Sequence, residues 1–396
     1  MNQNKRFLYL LSLGHFLTDL NQGLLPIFLS IYKEQFSLSY TAASLVALIS
    51  NLSSSVIQPL FGFWSDRRGS RWMLPAGCFL ATLGMALAGW APNYLTLILA
   101  VFLSGLGVAS YHPEASKTAH YLSEEQQASS MAIFSVGGNL GFGLGPLVAA
   151  FLLAHGGTRS SPFLLFPAGL LSVYLWYSLP LLGRILANVS SSSPKPSPRY
   201  KEEGNQVLRA GNTKALLLLL AIVILRSWLH AGMTFYIPFY FINYLGGDPT
   251  FSSSLLGIFL VAGALGTLVG GHLADRWGAR RLILLSMALM IPLALSLPHV
   301  RPPWLYLLVG VSGFILISSF APSIVLAQNL LPGHVGIASG LMIGFAVGTG
   351  GLGLTILGGI ADTIGVPQTL SLMSLLPILA LGLGLFLPDV RRALSV

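Results

Sequence analysis

Twelve long apolar runs, parted by short polar, glycine- or proline-bearing breaks, take up most of this 396-residue chain. They lie at 7–31, 41–64, 72–90, 94–118, 128–154 and 162–183, then at 215–243, 253–273, 282–297, 304–330, 337–361 and 368–388. Runs of ~20 apolar residues span a bilayer as helices, because the hydrocarbon offers no partner to a free backbone N–H or C=O. Composition agrees. Hydrophobic residues make up 54% of the chain and charged residues 8%, with a mean hydropathy of +0.75, against roughly 25% charged residues in a soluble domain. The expected fold class is an all-α membrane protein with 12 transmembrane helices. The single Cys78 excludes an internal disulfide framework and a cysteine-rich metal site. Lys5 and Arg6 precede a long apolar run without a small-residue cleavage site, so the first run is expected to stay.

Lysine and arginine orient the spans. One side holds Lys5, Arg6, Arg67, Arg68, Arg71, Lys117, Arg184, Lys195, Arg199, Lys201, Arg209, Lys214, Arg276, Arg280, Arg281, Arg391 and Arg392. The other holds Lys33, Arg159 and Arg301, and Arg226 lies inside a span. Seventeen against three places the N- and C-termini on the cytoplasmic side by the positive-inside rule. The same confinement to short loops argues that the net charge of +9 does not serve a nucleic-acid partner. The segment 184–213, with Ser190 to Ser193, Pro194, Pro196 and Pro198, reads as a flexible cytoplasmic linker. It divides the chain into an N-terminal six-helix bundle (1–183) and a C-terminal one (214–396).

The two bundles are copies. Gly62-Phe63-Trp64-Ser65-Asp66-Arg67-Arg68-Gly69-Ser70-Arg71 recurs as Gly271-His272-Leu273-Ala274-Asp275-Arg276-Trp277-Gly278-Ala279-Arg280, 209 residues on. Ala128-Ser129 matches Ala338-Ser339 at offset 210, and Pro113 matches Pro322 at 209. An internal repeat of two halves in a membrane protein points to a transporter.

The duplicated Gly-x-x-x-Asp-Arg-x-Gly-x-Arg loop resembles the signature of the major facilitator superfamily. Gly14-His15-Phe16-Leu17-Thr18-Asp19, Tyr111-His112-Pro113-Glu114-Ala115-Ser116, Gly137-Gly138-Asn139-Leu140-Gly141 and Gln328-Asn329-Leu330-Leu331-Pro332-Gly333 resemble the fosmidomycin-resistance group within it. The resemblance covers nearly the whole chain apart from the linker. It implies two pseudo-symmetric six-helix halves, a site between them near the membrane midplane, and spans 1 and 7 facing each other across the cavity. A monomer in the cell inner (plasma) membrane, multi-pass, is expected.

Charged groups inside spans need a reason, since each costs about 2.5–3.5 kcal/mol at the bilayer centre. His15 and Asp19 in span 1 are spaced i, i+4, as are Arg226 and His230 in span 7, and each pair shares a helix face. Both members are offset by 211, so the pairs are equivalent in the repeat. With the facing implied above, the four are expected to line one cavity, Asp19 neutralising Arg226 when substrate is absent. A buried ion pair with a purely structural role is the alternative. Arg226 suits an anion such as a phosphonate or carboxylate, which guanidinium binds bidentately. Tyr236, Asn139 and Gln328 are further candidates for substrate contact. His112 and Glu114 flank Pro113 in span 4 and join Asp19 as proton-coupling candidates; alternatively Glu114 sits at the membrane surface paired with Lys117. Many proton-driven exporters of the superfamily carry an arginine ahead of a Gln-Gly pair in helix 4. Val101 to Gly105 here is uncharged, so coupling must use other groups.

The repeated loops are expected to act as a conformational gate through Gly62, Asp66, Arg67, Arg71, Gly271, Asp275, Arg276 and Arg280. Asp66 is expected at the start of helix 11 and Asp275 at the start of helix 5, where exposed N–H groups favour a carboxylate. By resemblance these contacts latch the outward-open state. Gly141-x-x-x-Gly145-Pro146 resembles the helix 5 signature of exporters, and its small residues allow close helix approach. Gly348-x-Gly350-x-x-Gly353 is not a dinucleotide site, because no strand–helix unit surrounds it. His155, His299 and His334 form no metal-like cluster, and no nucleophile–base or metal constellation suggests an enzyme. Neither a cofactor nor a metal is expected. The expected function is proton-coupled efflux of a small, anionic or amphiphilic solute by antiport. A proton symporter importing an organic anion and a transport-inactive sensor or scaffold are the alternatives. The expected partners are a small-molecule substrate, protons and the lipid bilayer.

Overall fold

The computed structural model describes residues 3–38, 40–68, 70–123, 126–192, 210–246 and 249–388, and these are helical, with no strand among them. In chain order the helices are α1 (Gln3–Gln35), α2 (Tyr40–Asn51), a π-helical turn (Leu52–Val56), α3 (Gln58–Arg68), α4 (Met73–Ala88), α5 (Tyr94–Leu122) and α6 (Gln127–Gly156). A 3-10 stretch (Gly157–Leu164) leads into α7 (Leu165–Ser192). There follow α8 (Ala210–Asn243), α9 (Pro249–Trp277), α10 (Ala279–Ser296), α11 (Trp304–Ser318), α12 (Phe320–Leu330) and α13 (Val335–Ser339). A second π-helical turn (Gly340–Phe345), α14 (Ala346–Gly348), α15 (Gly350–Ile364), α16 (Val366–Leu372) and α17 (Leu375–Leu385) complete the order.

Nine stretches among the described residues are long and apolar enough to cross a membrane, where the sequence leads one to expect twelve. The difference has particular sources. The expected spans 128–154 and 162–183 fall in one continuous stretch, Gln127–Ala187, and 72–90 falls on the shorter apolar helix Met73–Ala88. Span 7–31 falls on the 33-residue α1, whose middle is diluted by His15, Asp19, Asn21 and Gln22. Helix α7 continues to Ser192 and α8 begins at Ala210, so helix enters both ends of the expected linker. Pro194, Lys195, Pro196, Pro198, Arg199, Lys201 and Arg209 lie outside the described residues, as do Gly69, Arg391 and Arg392 and the side chains of Lys33, Arg68, Ser190, Ser191 and Ser192.

The chain forms two compact units. One holds Met1–Glu124, Ile133–Ser197 and Pro332–Phe345; the other holds Glu125–Ala132, Pro198–Leu331 and Ala346–Val396. In the first, Leu24, Phe28, Tyr32, Met85, Leu97 and Leu152 belong to one buried apolar cluster. Glycines let α6 lie against α1: a Cβ at Gly137 would meet the Ser12 carbonyl, and one at Gly141 the Phe16 carbonyl. Helix α5 opens on a capping box, with Asn93 Oδ1 accepting from Thr96 N at 3.0 Å and Thr96 Oγ1 from Asn93 N at 3.3 Å.

In the second unit the proline shared by the repeat has a different outcome. Pro113 sits inside the unbroken α5. Pro322 has no N–H for the Ser318 carbonyl, and helix stops at Ser318 and restarts at Phe320. Gly278 of the second repeated loop takes φ 94°, a conformation that disfavours any residue with a Cβ, and turns the chain into α10. Large apolar side chains such as Phe163, Phe166, Tyr177, Trp304 and Phe386 are exposed, as suits contact with lipid.

Candidate functional site

Asp19 of α1 is held by two histidines. His15, one turn earlier on the same helix, brings Nε2 to 3.2 Å from Oδ2, and His112 of α5 brings Nε2 to 2.9 Å from Oδ1. Gln22 Nε2 donates to Oδ1 at 3.1 Å. The His15 ring stacks on Phe134, with centroids 4.2 Å apart, and meets His112 edge-on at 4.6 Å. Its Nδ1 donates to the Phe134 carbonyl at 2.8 Å. Both histidines are buried, and the Asp19 side chain keeps 15% exposure. Gly138 closes one side: a Cβ there would stand 2.6 Å from His15 Cε1 and 2.7 Å from Asp19 Oδ2. Glycine is thus required at that place by the trio itself.

Both His15 nitrogens face atoms that accept, the Phe134 carbonyl and the Asp19 carboxylate, and a neutral imidazole has one hydrogen to offer. Nδ1 gives that hydrogen to the carbonyl, so Nε2 beside Asp19 Oδ2 is the place where a further proton would be shared.

His15, Asp19 and His112 are also the described group whose donor atoms, all within 4.8 Å of one another, are close enough to hold a metal ion. The surroundings of His112 argue against that use. Gln58 Nε2 donates to the Ser54 carbonyl at 2.6 Å and lies 3.0 Å from His112 Nδ1. The amide nitrogen faces the ring, so Nδ1 bears the lone pair and Nε2 the hydrogen. A metal-bound histidine needs the reverse, a lone pair on the ligating nitrogen and an N–H donated outward from the other. The trio is not assigned as a metal site.

Glu114 does not join His112. Residues two apart on a helix do not share a face, and Glu114 instead pairs with Lys117 at 2.8 Å. Ser65 ties the two together, donating to Glu114 Oε2 at 2.5 Å while its carbonyl accepts from Lys117 Nζ at 2.8 Å. Glu114 is 1% exposed, so the expected alternative partner, Lys117, meets it within the protein.

In the second unit, Arg226 of α8 is buried and donates to Ser319 Oγ at 3.4 Å and Ser323 Oγ at 3.3 Å. Its guanidinium lies 5.2 Å from the centre of the Phe320 ring. Ser319 and Ser323 are spaced i, i+4 and joined by the Ser323 N–H to Ser319 carbonyl bond at 3.1 Å, which sets both hydroxyls on one face toward Arg226. Asp19, expected to neutralise Arg226, is engaged by its two histidines instead. His230 is partly buried beside Phe259, with ring centroids 5.5 Å apart. Tyr236 is buried next to Phe235, Gln328 is buried in α12, and Asn139 is exposed on α6. Gln58, Ser65, Phe134, Ser319 and Phe320 were not among the expected site residues. For Gln58 the sequence does hold a signal, an uncharged polar group inside an apolar run next to Pro59.

The two repeated loops place their aspartates alike. Asp66 Oδ1 and Oδ2 accept from Gly336 N at 2.8 Å and Ile337 N at 2.9 Å, at the start of α13. Asp275 accepts from Ala128 N and Ser129 N, both at 2.9 Å, and from Ser129 Oγ, at the start of α6. Each carboxylate thus meets the donor-rich end of a helix. Gly62 and Gly271 allow the approach: a Cβ at Gly62 would meet the Gly336 carbonyl, and one at Gly271 would stand 2.6 Å from the Ala128 carbonyl. The arginines differ. Arg280 donates to the carbonyls of Leu385 and Leu387 at the end of α17, with Nη2 3.1 Å from Leu385 O. Arg71 lies against Gly183 of α7. Arg67 is exposed and stacks on Phe63 at 4.0 Å, and Arg276 is exposed in the last turn of α9.

A protein-family model described as Major Facilitator Superfamily matches residues 11–352. The chain belongs to the Major Facilitator Superfamily and is a multi-pass membrane transporter, not an enzyme. It is 34% identical to the fosmidomycin resistance protein of Escherichia coli (strain K12), over 96% of this chain and 92% of that protein. It is 32% identical to an uncharacterized MFS-type transporter, YfnC, of Bacillus subtilis (strain 168), over 97% of this chain and 93% of that one. Among solved structures, FucP in its outward conformation superposes with a TM-score of 0.73 at 16% identity, covering 98% of this chain and 99% of that one. That likeness concerns the fold.

Proposed function

We propose that this transporter exports a small anionic or amphiphilic solute, such as a phosphonate, in exchange for protons by alternating access. The observation that carries the proposal is the His15–Asp19–His112 trio, a part-buried carboxylate between two buried histidines inside largely apolar helices. Such groups mark proton relays in membrane proteins. Arg226 supplies the anion site. Its buried charge has two long serine contacts and a ring face, and among the described residues no carboxylate forms an ion pair with it. A bidentate oxyanion would complete it. The E. coli relative is named for resistance to fosmidomycin, a phosphonate, which supports that substrate class here.

In the same proposal the chain spans the membrane twelve times, as two six-helix halves (1–183 and 214–396) joined by a cytoplasmic linker. The aspartate contacts at the starts of α6 and α13 hold the cytoplasmic side shut and break on inward opening.

The test uses fosmidomycin as the probe, in inverted membrane vesicles and in right-side-out ones, each with an imposed pH gradient. Antiport predicts accumulation in inverted vesicles with an acidic interior. Asp19→Asn should abolish the dependence on the gradient, and Arg226→Ala should lower uptake about tenfold or more with normal membrane insertion. Accumulation driven by a proton gradient running with the substrate would replace antiport by symport. Unchanged transport in both variants would remove these residues from the mechanism.

A further inference from the structure

Gln58 begins α3 directly after the π-helical turn Leu52–Val56. Pro59 next to it offers no N–H to the helix behind, and the Gln58 side chain turns back to serve the Ser54 carbonyl at 2.6 Å. A carbonyl cannot donate, so the amide nitrogen must be the atom that faces it. That fixes the rotation of the amide and aims its other hydrogen at His112 Nδ1, 3.0 Å away. Were Nδ1 to take a proton, two N–H groups would oppose each other in a buried site. Turning the amide over would set its oxygen against the Ser54 carbonyl instead.

Packing holds Gln58 in this pose. A Cβ added at Gly344, in the second π-helical turn, would stand 2.5 Å from Gln58 Cδ and 2.6 Å from its Cβ. One at Gly340 would stand 2.8 Å from the Gln58 carbonyl. Two π-helical turns thus enclose the side chain, and both belong to the first compact unit.

We propose that Gln58 is a positioning residue that keeps His112 neutral, with its hydrogen on Nε2, and so leaves proton exchange in the trio to the His15–Asp19 pair. The other titratable groups on the packed elements do not take over this role. On α5, Tyr111 donates to the Leu11 carbonyl at 2.7 Å, and Glu114 and Lys117 are closed on each other and on Ser65. On α4 the thiol of Cys78 is buried. At the far end of α3, Asp66 is spent on the start of α13 and Arg67 is exposed. Helix α6 presents Phe134 and Gly138 to the trio, and neither titrates. The inference rests on the proposal that the trio exchanges protons during transport.

The experiment needs no substrate. The full chain is labelled with nitrogen-15 histidine, placed in lipid bilayers and titrated from about pH 8 to about pH 5, across the ordinary histidine range. Ring-nitrogen shifts report which nitrogens bear hydrogen, with His112→Gln and His15→Gln variants assigning the signals. The expected wild-type result is one protonated and one bare nitrogen on His112 throughout. Gln58→Glu gives Nδ1–H an acceptor, and His112 should then become doubly protonated, its midpoint rising by about one pH unit or more. Gly344→Ala, which presses on the amide without changing its chemistry, should also let His112 protonate at higher pH than in the wild type. A wild-type His112 that bears its hydrogen on Nδ1, or on both nitrogens, would overturn the proposal. So would a His112 titration unmoved by Gln58→Glu in a protein whose exposed His155 keeps its wild-type signals. Transport indifferent to a pH gradient would instead sink the coupling proposal and leave the His112 spectrum standing.

Discussion

At the scale of single residues, buried charge is tolerated where geometry supplies every partner. Glu114, Lys117 and Ser65 close on one another, with the ammonium 2.8 Å from the carboxylate and 2.8 Å from the Ser65 carbonyl. Removing one ion of a buried pair leaves the other without compensation, at a cost of about 3–5 kcal/mol. Glu114→Gln and Lys117→Met should each lower the melting temperature in thermal unfolding. The double variant should lie closer to wild type than the sum of the two losses; strictly additive losses would mean that the pair is not coupled. Asp19 is different in kind. Its partners are two histidine rings, at 2.9 Å and 3.2 Å, with no lysine or arginine paired to it among the described residues. The spacing of His15 and Asp19 was legible in sequence, and their contact follows from it. Contact with His112 was not, because it depends on how α5 is rotated against α1.

At the scale of helices, the repeated loops and the helix starts they serve form one device used twice. The carboxylates of Asp66 and Asp275 each accept two backbone N–H groups from a first helical turn. Losing such a cap costs about 1–2 kcal/mol. Asp66→Ala should speed amide hydrogen exchange at Gly336 and Ile337 by about 5- to 30-fold, and Asp275→Ala should do so at Ala128 and Ser129. Each variant should leave the other site unchanged. Exchange that rises equally at both would mean general destabilisation rather than loss of a cap. Sequence carried the positions of both aspartates through the offset of 209. It did not carry the division of labour among the arginines. Arg280 serves the carbonyls of Leu385 and Leu387, more than a hundred residues away.

At the scale of the whole molecule, the bias of seventeen basic residues against three predicts cytoplasmic termini. A green fluorescent protein joined after Val396 should fluoresce, and alkaline phosphatase inserted at the Arg301 loop should be active. The reverse pattern would invert the topology and move both aspartate loops to the opposite face. The repeat also shows where likeness ends. At the register of His112 and Glu114, 209 residues on, stand Ala321 and Ser323. The first unit gathers acids and histidines there, and the second gathers serines about an arginine.

Apolar runs, positive loops and a constant offset are one-dimensional properties. Through them the sequence by itself determined a membrane-embedded helical protein, its doubled plan, and the four polar residues of spans 1 and 7 that need explaining. Hydrogen-bond direction and helix rotation are three-dimensional, and only the tertiary structure decided them. It separated Glu114 from His112, although they are two residues apart, because successive helical positions face different ways. It set Gln58 against His112 from another helix, where no spacing rule connects them. It also gave Arg226 the hydroxyls of Ser319 and Ser323, because contact between α8 and the face those serines share depends on how the helices pack.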